Sequence, residues 1–161
     1  LSGLRAVRGE RVIVRTSEVV LNRPVRLLHP RHPIYVVPWG DKRFMVGATV
    51  IESEDDGPIS VRSMLELLGT VYALHPAFAE AEIVEAGAGV RPAFDDNVPR
   101  ILVSPDARTI RVNGAYRHGF LLAPVLARCV ASVIEGTGED HPLVVASEDS
   151  ARPLRSAGEV I

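Results

Sequence analysis

A chain of 161 residues is long enough for a domain with its own core, and 47% hydrophobic against 24% charged residues is the balance of a globular protein. The formal net charge of −2, with no basic cluster interleaved with aromatics, argues against nucleic acid or an anionic membrane surface as partner. No apolar run reaches the length of a membrane span. One cysteine, Cys129, excludes an internal disulfide framework and fits a reducing compartment, the cytoplasm.

The chain opens Leu1-Ser2-Gly3 without a methionine or a signal-peptide pattern, a start that removal of a tag or excision from a longer protein would each explain. Glu10 to Thr16 reads as a strand rich in β-branched residues. Thr16 to Pro24 is loop, and Pro24 to Leu28 a brief strand. His29-Pro30-Arg31-His32-Pro33 is a proline-stiffened connection. Ile34 to Pro38 and Arg43 to Ile51 form two strands joined by a hairpin turn at Trp39-Gly40-Asp41-Lys42. Glu52 to Pro58 is an acidic, solvated loop.

Ser60 to Leu74 is the clearest helix. Val61, Met64, Leu65, Leu68, Val71 and Tyr72 fall on one apolar stripe, Ser60 can cap it and Pro76 closes it. Ala81 to Val90 reads as a strand ending at Arg91-Pro92. Phe94 to Arg100 is loop. Arg100 to Ser104 and Thr109 to Asn113 are strands joined at Pro105-Asp106. A helix from Leu121 to Glu135 is apolar nearly all round and ends at Gly136 and Gly138. His141 to Ala146 adds a short segment, and Glu148 to Ile161 is a polar tail.

The stretch Asn113-Gly114-Ala115-Tyr116-Arg117-His118-Gly119-Phe120-Leu121-Leu122-Ala123-Pro124 organises the rest. A strand runs in and an apolar helix runs out. The free N–H groups of a helix start are a seat for negative charge, and Pro124 fits a first turn. A strand-to-helix turn calls for glycine on structural grounds alone, so the residues leave both readings open.

Arg91 is the first candidate for binding. A planar guanidinium grips a carboxylate through two parallel hydrogen bonds. A strand tyrosine such as Tyr35 usually packs its ring and wets its hydroxyl. Arg117 can hold a substrate, a cofactor or a neighbouring carbonyl. His29 and His32 lack the further ligands of a metal site, so no metal is expected. Cys129 reads as packing. No Gly-x-Ser-x-Gly elbow is present, and Glu52, Glu54, Asp55 and Asp56 lack a calcium-loop pattern. Gly87-Ala88-Gly89 and Gly136-Thr137-Gly138 do not make a Gly-x-Gly-x-x-Gly phosphate loop.

The run Gly114 to Pro124 resembles the C-terminal flavin-contacting signature of the D-amino-acid oxidase family, most of all the glycine oxidases. Gly89-Val90-Arg91-Pro92 resembles that family's Gly-x-Arg-Pro motif, and Tyr35-Val36-Val37-Pro38 with Met45-Val46-Gly47-Ala48-Thr49 resembles its hairpin. The resemblance implies an α+β fold: a mostly antiparallel sheet with one amphipathic helix packed on it, plus a terminal strand–helix unit of the flavin domain. It implies that residues 1–99 bind substrate, 100–147 belong to the FAD part and 148–161 form a tail, with the N-terminal dinucleotide-binding part lying outside this chain. It implies FAD as cofactor, contacted by Ala115, Tyr116, Arg117, His118, Gly119, Phe120 and Leu121. Arg91 with Tyr35 and Arg117 would hold the carboxylate of a small amino acid, glycine first, with sarcosine or a D-amino acid as alternatives. The fragment alone is expected to be inactive and to self-associate through its uncovered helix. A non-enzymatic module binding a small carboxylate is the reading from a different class.

Overall fold

A computed structural model of the chain describes residues 3–30, 33–104, 106, 108–137 and 141–146. His32, Pro105, Gly138 and the tail from 148 lie outside the described residues. Strands and helices follow in the order β1 (Arg5–Arg15), β2 (Val25–Arg26), β3 (Tyr35–Pro38), β4 (Arg43–Gly47), β5 (Ile51–Glu52), α1 (Val61–Leu74), β6 (Glu82–Ala93), β7 (Arg100–Val103), β8 (Ile110–Asn113), α2 (Gly119–Ile134) and β9 (Val144–Ala146). The chain divides into two compact units, Ala6–Arg91 and a second that runs from Pro92 onward and includes Arg5.

In the first unit a six-stranded sheet is ordered β2-β3-β4-β1-β5, with β6 also paired to β1. β1 is antiparallel to β4, Arg11 facing Gly47 and Val12 facing Val46. β3 is antiparallel to β4, Tyr35 facing Gly47. Because side chains alternate across a strand, Val12, Val14, Val36, Phe44 and Val46 share one face. There they form the core with Leu67 and Val71 of α1 and with Phe78. Tyr35, Met45, Gly47, Arg11 and Ile13 occupy the other face.

β1 starts five residues before the strand expected at Glu10. Its Val7, Arg8, Gly9 and Glu10 are all buried, and a central strand buried on both faces does not show the alternation that marks a half-exposed one. The expected strand Arg43–Ile51 is broken after Gly47. The hairpin turn between β3 and β4 is as read, with Gly40, Asp41 and Lys42 all at positive φ.

α1 spans Val61–Leu74, and the Ser60 hydroxyl caps it by accepting the Ser63 N–H at 3.2 Å. Its inward face is rotated from the expected stripe. Ser63, Leu67 and Val71 are the buried positions, whereas Val61, Leu65 and Tyr72 are 78%, 68% and 55% exposed. Ser63, polar by type, is turned inward by a buried carboxylate described below.

In the second unit β7 pairs antiparallel with β8 and parallel with β9, so the segment after His141 is a strand. α2 packs on this sheet through Leu126 and Cys129 against Ile101, with Ile110, Leu122, Val125 and Val144 around them. It begins at Gly119, two residues earlier than expected. Pro124 is therefore past the first turn, where it withholds the N–H that the Phe120 carbonyl would accept. One side of the helix is open: Leu121 and Ile134 are largely exposed and Phe120 fully so.

Candidate functional site

The face of the first sheet opposite α1 is built on two glycines. At Gly47 the Tyr35 ring and its hydroxyl lie 3.5 Å from where a Cβ would sit, an ordinary van der Waals distance. At Gly9 the space of a Cβ is filled by Arg91, whose guanidinium atoms would stand within about 2 Å of it. Arg91 Nη1 also donates to the Thr49 carbonyl at 3.3 Å. The sheet thus brings Tyr35 and Arg91 to one face, each laid over a residue without a side chain. Arg11 belongs to the same face, opposite Gly47, and donates to Glu85 at 2.6 Å.

Arg91 lies inside β6, which continues through Pro92 to Ala93. The expected strand end with a rigid turn behind Arg91 is therefore corrected. A proline at the end of a sheet strand is tolerated where no ladder N–H is needed.

Thr49 is held from the opposite side by a buried ion pair that sequence reading missed. Arg8 is 4% and Glu10 0% exposed. Glu10 Oε1 accepts Arg8 Nε at 3.0 Å, Arg8 Nη2 at 2.8 Å and the Ser60 N–H at 3.1 Å. Glu10 Oε2 accepts the Thr49 hydroxyl at 3.3 Å, and that hydroxyl accepts the Glu10 N–H at 2.9 Å. Arg8 Nη1 donates to the Asp55 carbonyl at 2.6 Å, and Nη2 to the Pro58 carbonyl. Burial is the largest influence on Glu10 and raises its pKa. The Ser63 hydrogen bond, Arg8 and the Ser60 N–H together outweigh it, so the carboxyl titrates below its ordinary value of 4.5. The acidic loop expected to be merely solvated is thereby pinned through its backbone. The signal was present in Arg8-Gly9-Glu10: two charges two residues apart inside a β-branched strand point to one face.

In the second unit Gly114, at φ +81°, leads from β8 into the turn, and a Cβ there would stand 2.3 Å from the Phe94 ring. The Arg100 guanidinium covers that buried ring at 4.0 Å. Tyr116, at φ +49°, lies in the turn that the His118 N–H closes on the Ala115 carbonyl at 2.8 Å. Arg117 is half-buried in this turn and His118 exposed at the N-cap, where its side chain makes no cap hydrogen bond. The N–H groups of Gly119, Phe120 and Leu121 precede the first intrahelical bond, from the Leu122 N–H to the His118 carbonyl at 2.9 Å. Around Gly119 the nearest atom to a would-be Cβ is Ala115 Cβ at 4.0 Å. A helix start without a side-chain cap, next to a half-buried arginine, is a donor set that fits the electron-rich pyrimidine edge of a flavin.

A cavity of about 500 Å³ opens beside α1, lined by Pro30, Pro33, Ile34, Thr49, Arg62 and Glu66 among others. Neither Tyr35 nor Arg91 lines it. Among the described residues no group of three or more His, Cys, Asp or Glu side chains is placed to hold a metal, and no helix is long and apolar enough to cross a membrane.

The chain that carries this sheet and this strand–turn–helix unit belongs to the FAD dependent oxidoreductase family, whose model matches residues 2–133. It is 65% identical over 131 residues to the oxidoreductase ThiO of Rhizobium etli, a protein named for thiamine biosynthesis, and 32% identical over 130 residues to the glycine oxidase of Geobacillus kaustophilus. These matches take in 81% and 80% of this chain. The crystal structure of the Geobacillus kaustophilus glycine oxidase superposes with a TM-score of 0.72 at 30% identity, over 83% of this chain and 36% of that one. The L-proline dehydrogenase of P. horikoshii, 19% identical over 87% of this chain and 38% of its own, shares the fold at a TM-score of 0.74. The chain spans 39% and 34% of the length of the two curated relatives.

Proposed function

We propose that this chain is the substrate-binding portion of a glycine oxidase-like flavoenzyme. The observation that carries the reading is the guanidinium of Arg91 laid over Gly9 on the same sheet face as Tyr35. A carboxylate matches the two parallel N–H bonds of a guanidinium, and a tyrosine hydroxyl can donate a third. Fixing the carboxylate end of a two-carbon amino acid fixes the direction of its Cα–H, which is the positioning such an oxidation requires.

Residues 115–121 would hold the flavin, the N–H groups of Gly119, Phe120 and Leu121 meeting its electron-rich edge and Arg117 adding positive charge. When bound, FAD supplies a two-electron acceptor that dioxygen reoxidises, so that glycine, dioxygen and water give glyoxylate, ammonia and hydrogen peroxide. No side-chain base is assigned, because the chain's own work is to bind and orient. Thiamine biosynthesis is the context supported by the name of the Rhizobium etli relative, and the cytoplasm by the lone cysteine. The sequence holds no Gly-x-Gly-x-x-Gly loop for a pyrophosphate. The 161 residues alone are therefore expected to bind FAD weakly and to be inactive. The exposed Phe120, Leu121 and Ile134 support cover by the rest of the parent protein or by a second copy.

The test is Arg91→Leu in the full-length protein that carries this chain. Losing charge-assisted hydrogen bonds of about 1.5–3 kcal/mol should raise KM for glycine by about 10- to 150-fold. An unchanged KM and kcat/KM would remove Arg91 from the site. Saturable, micromolar FAD binding by the 161-residue chain, followed by flavin fluorescence, would contradict the assignment of the missing nucleotide site.

A further inference from the structure

We infer that Gly9 is a positioning residue: its missing side chain is the seat in which the Arg91 guanidinium lies, and this sets where a carboxylate can be bound. The inference rests on the carboxylate-binding reading of Arg91 and deepens it.

Three observations carry it. A Cβ on Gly9 would stand 1.9, 2.0 and 2.1 Å from Nη1, Nη2 and Cζ of Arg91, so the whole head group, and not one atom, occupies that space. Gly9 is buried in the middle of β1, and it is not among the glycines at positive φ. Its backbone therefore suits any residue, and conformational freedom is not the reason for a glycine here. Lastly, the far side of the seat is fixed. The Thr49 carbonyl accepts Nη1 at 3.3 Å, and Thr49 is tied to β1 by its N–H on the Glu10 carbonyl at 3.2 Å and by its hydroxyl on Glu10. The seat thus has a floor of β1 backbone and one wall held by a buried carboxylate.

The physical consequence separates position from stability. The atoms a new methyl would meet are the end of a long, flexible side chain, which can swing away at little cost to the fold. Alanine at position 9 should leave the sheet intact and lift the guanidinium off it. A guanidinium lifted off its seat no longer presents both N–H groups to the carboxylate, and a lost charge-assisted hydrogen bond weakens binding by about 10- to 100-fold. The same displacement lowers affinity for any carboxylate, reactive or not.

The experiment uses the full-length flavoprotein and acetate, a carboxylate with no amine to oxidise, its binding followed through the flavin absorption spectrum. Gly9→Ala should raise the acetate Kd and the KM for glycine by about 10- to 100-fold, with an unchanged Tm and a smaller effect on kcat. On an Arg91→Ala background the same change should add less than about twofold, because nothing is left to displace. Gly87→Ala on neighbouring β6, where no described atom lies within 4 Å of a Cβ, controls for glycine substitution in a strand. A Gly9→Ala protein with wild-type acetate affinity, while Arg91→Ala binds poorly, overturns the seat and leaves the carboxylate reading standing. An equal loss from Gly9→Ala with and without Arg91 also overturns it, as a backbone effect. Wild-type affinity in Arg91→Ala instead removes the carboxylate reading underneath. If Gly9→Ala alone does not fold, Gly9→Ala/Arg91→Ala should recover folding; its failure to do so refutes the seat.

Discussion

Replacing Glu10 with glutamine keeps the shape of a buried side chain and removes its charge. Arg8, 4% exposed, would then lie in the interior without its buried carboxylate partner. Removing one partner of a buried pair costs about 3–5 kcal/mol. The lower end applies here, because Arg8 keeps the Asp55 and Pro58 carbonyls and a longer 3.4 Å contact to the Asp55 carboxylate. With a urea slope of about 2 kcal/mol/M, the unfolding midpoint followed by far-UV circular dichroism at pH 7 should fall by about 1.5 M. The effect has a defined pH dependence. The folded-state pKa of Glu10 lies below its ordinary 4.5. Its contribution is therefore complete above pH 4.5 and is lost as pH falls through the folded value. The wild type should destabilise across that window, and the gap to Glu10→Gln should narrow. Arg8→Met/Glu10→Leu should lose less than Glu10→Gln, because no unpaired charge stays buried, yet remain below the wild-type midpoint, because the Asp55 and Pro58 carbonyls and the Ser60 N–H lose their partners. A gap under about 0.5 kcal/mol at pH 7, the scatter of ordinary surface changes, or a gap constant into acid, would refute this account of the cluster.

Gly114→Ala should cost about 2–5 kcal/mol in urea unfolding. About 1–2 comes from a left-handed backbone and about 1–3 from a methyl driven into the Phe94 ring. A Phe94→Ala background should remove most of the second part. The rotated face of α1 is tested by two neighbours: Leu67→Ala, at 1% exposure, should cost about 2–5 kcal/mol, while Leu65→Lys should stay within about 0.5 kcal/mol. Equal losses at the two positions would restore the stripe expected from periodicity.

Most elements were legible in the sequence because their signals are local. Ser60 before an apolar run and Pro76 after it bound α1, and Gly40-Asp41-Lys42 forms the hairpin turn because glycine and polar residues tolerate positive φ. The rotation of α1 was not legible. Periodicity marks apolar positions, but the choice of inward face fell to Ser63, drawn in by Glu10, and to Leu67. The early start of α2 was hidden because Gly119 reads as a turn residue until the Leu122 N–H is seen to close on His118.

The sequence by itself determined the family, through Gly114 to Pro124 and the motifs around Arg91 and Tyr35, because a backbone elbow and a strand register are written in consecutive residues. Only the tertiary structure decided what Gly9, Thr49 and the Arg8–Glu10 pair do. Gly9 and Arg91 are far apart along the chain and meet only when β6 pairs with β1. A missing side chain carries no signal until its neighbour is known. Two charged residues in a strand look solvent-facing in a sequence until the strand holding them is covered on both faces.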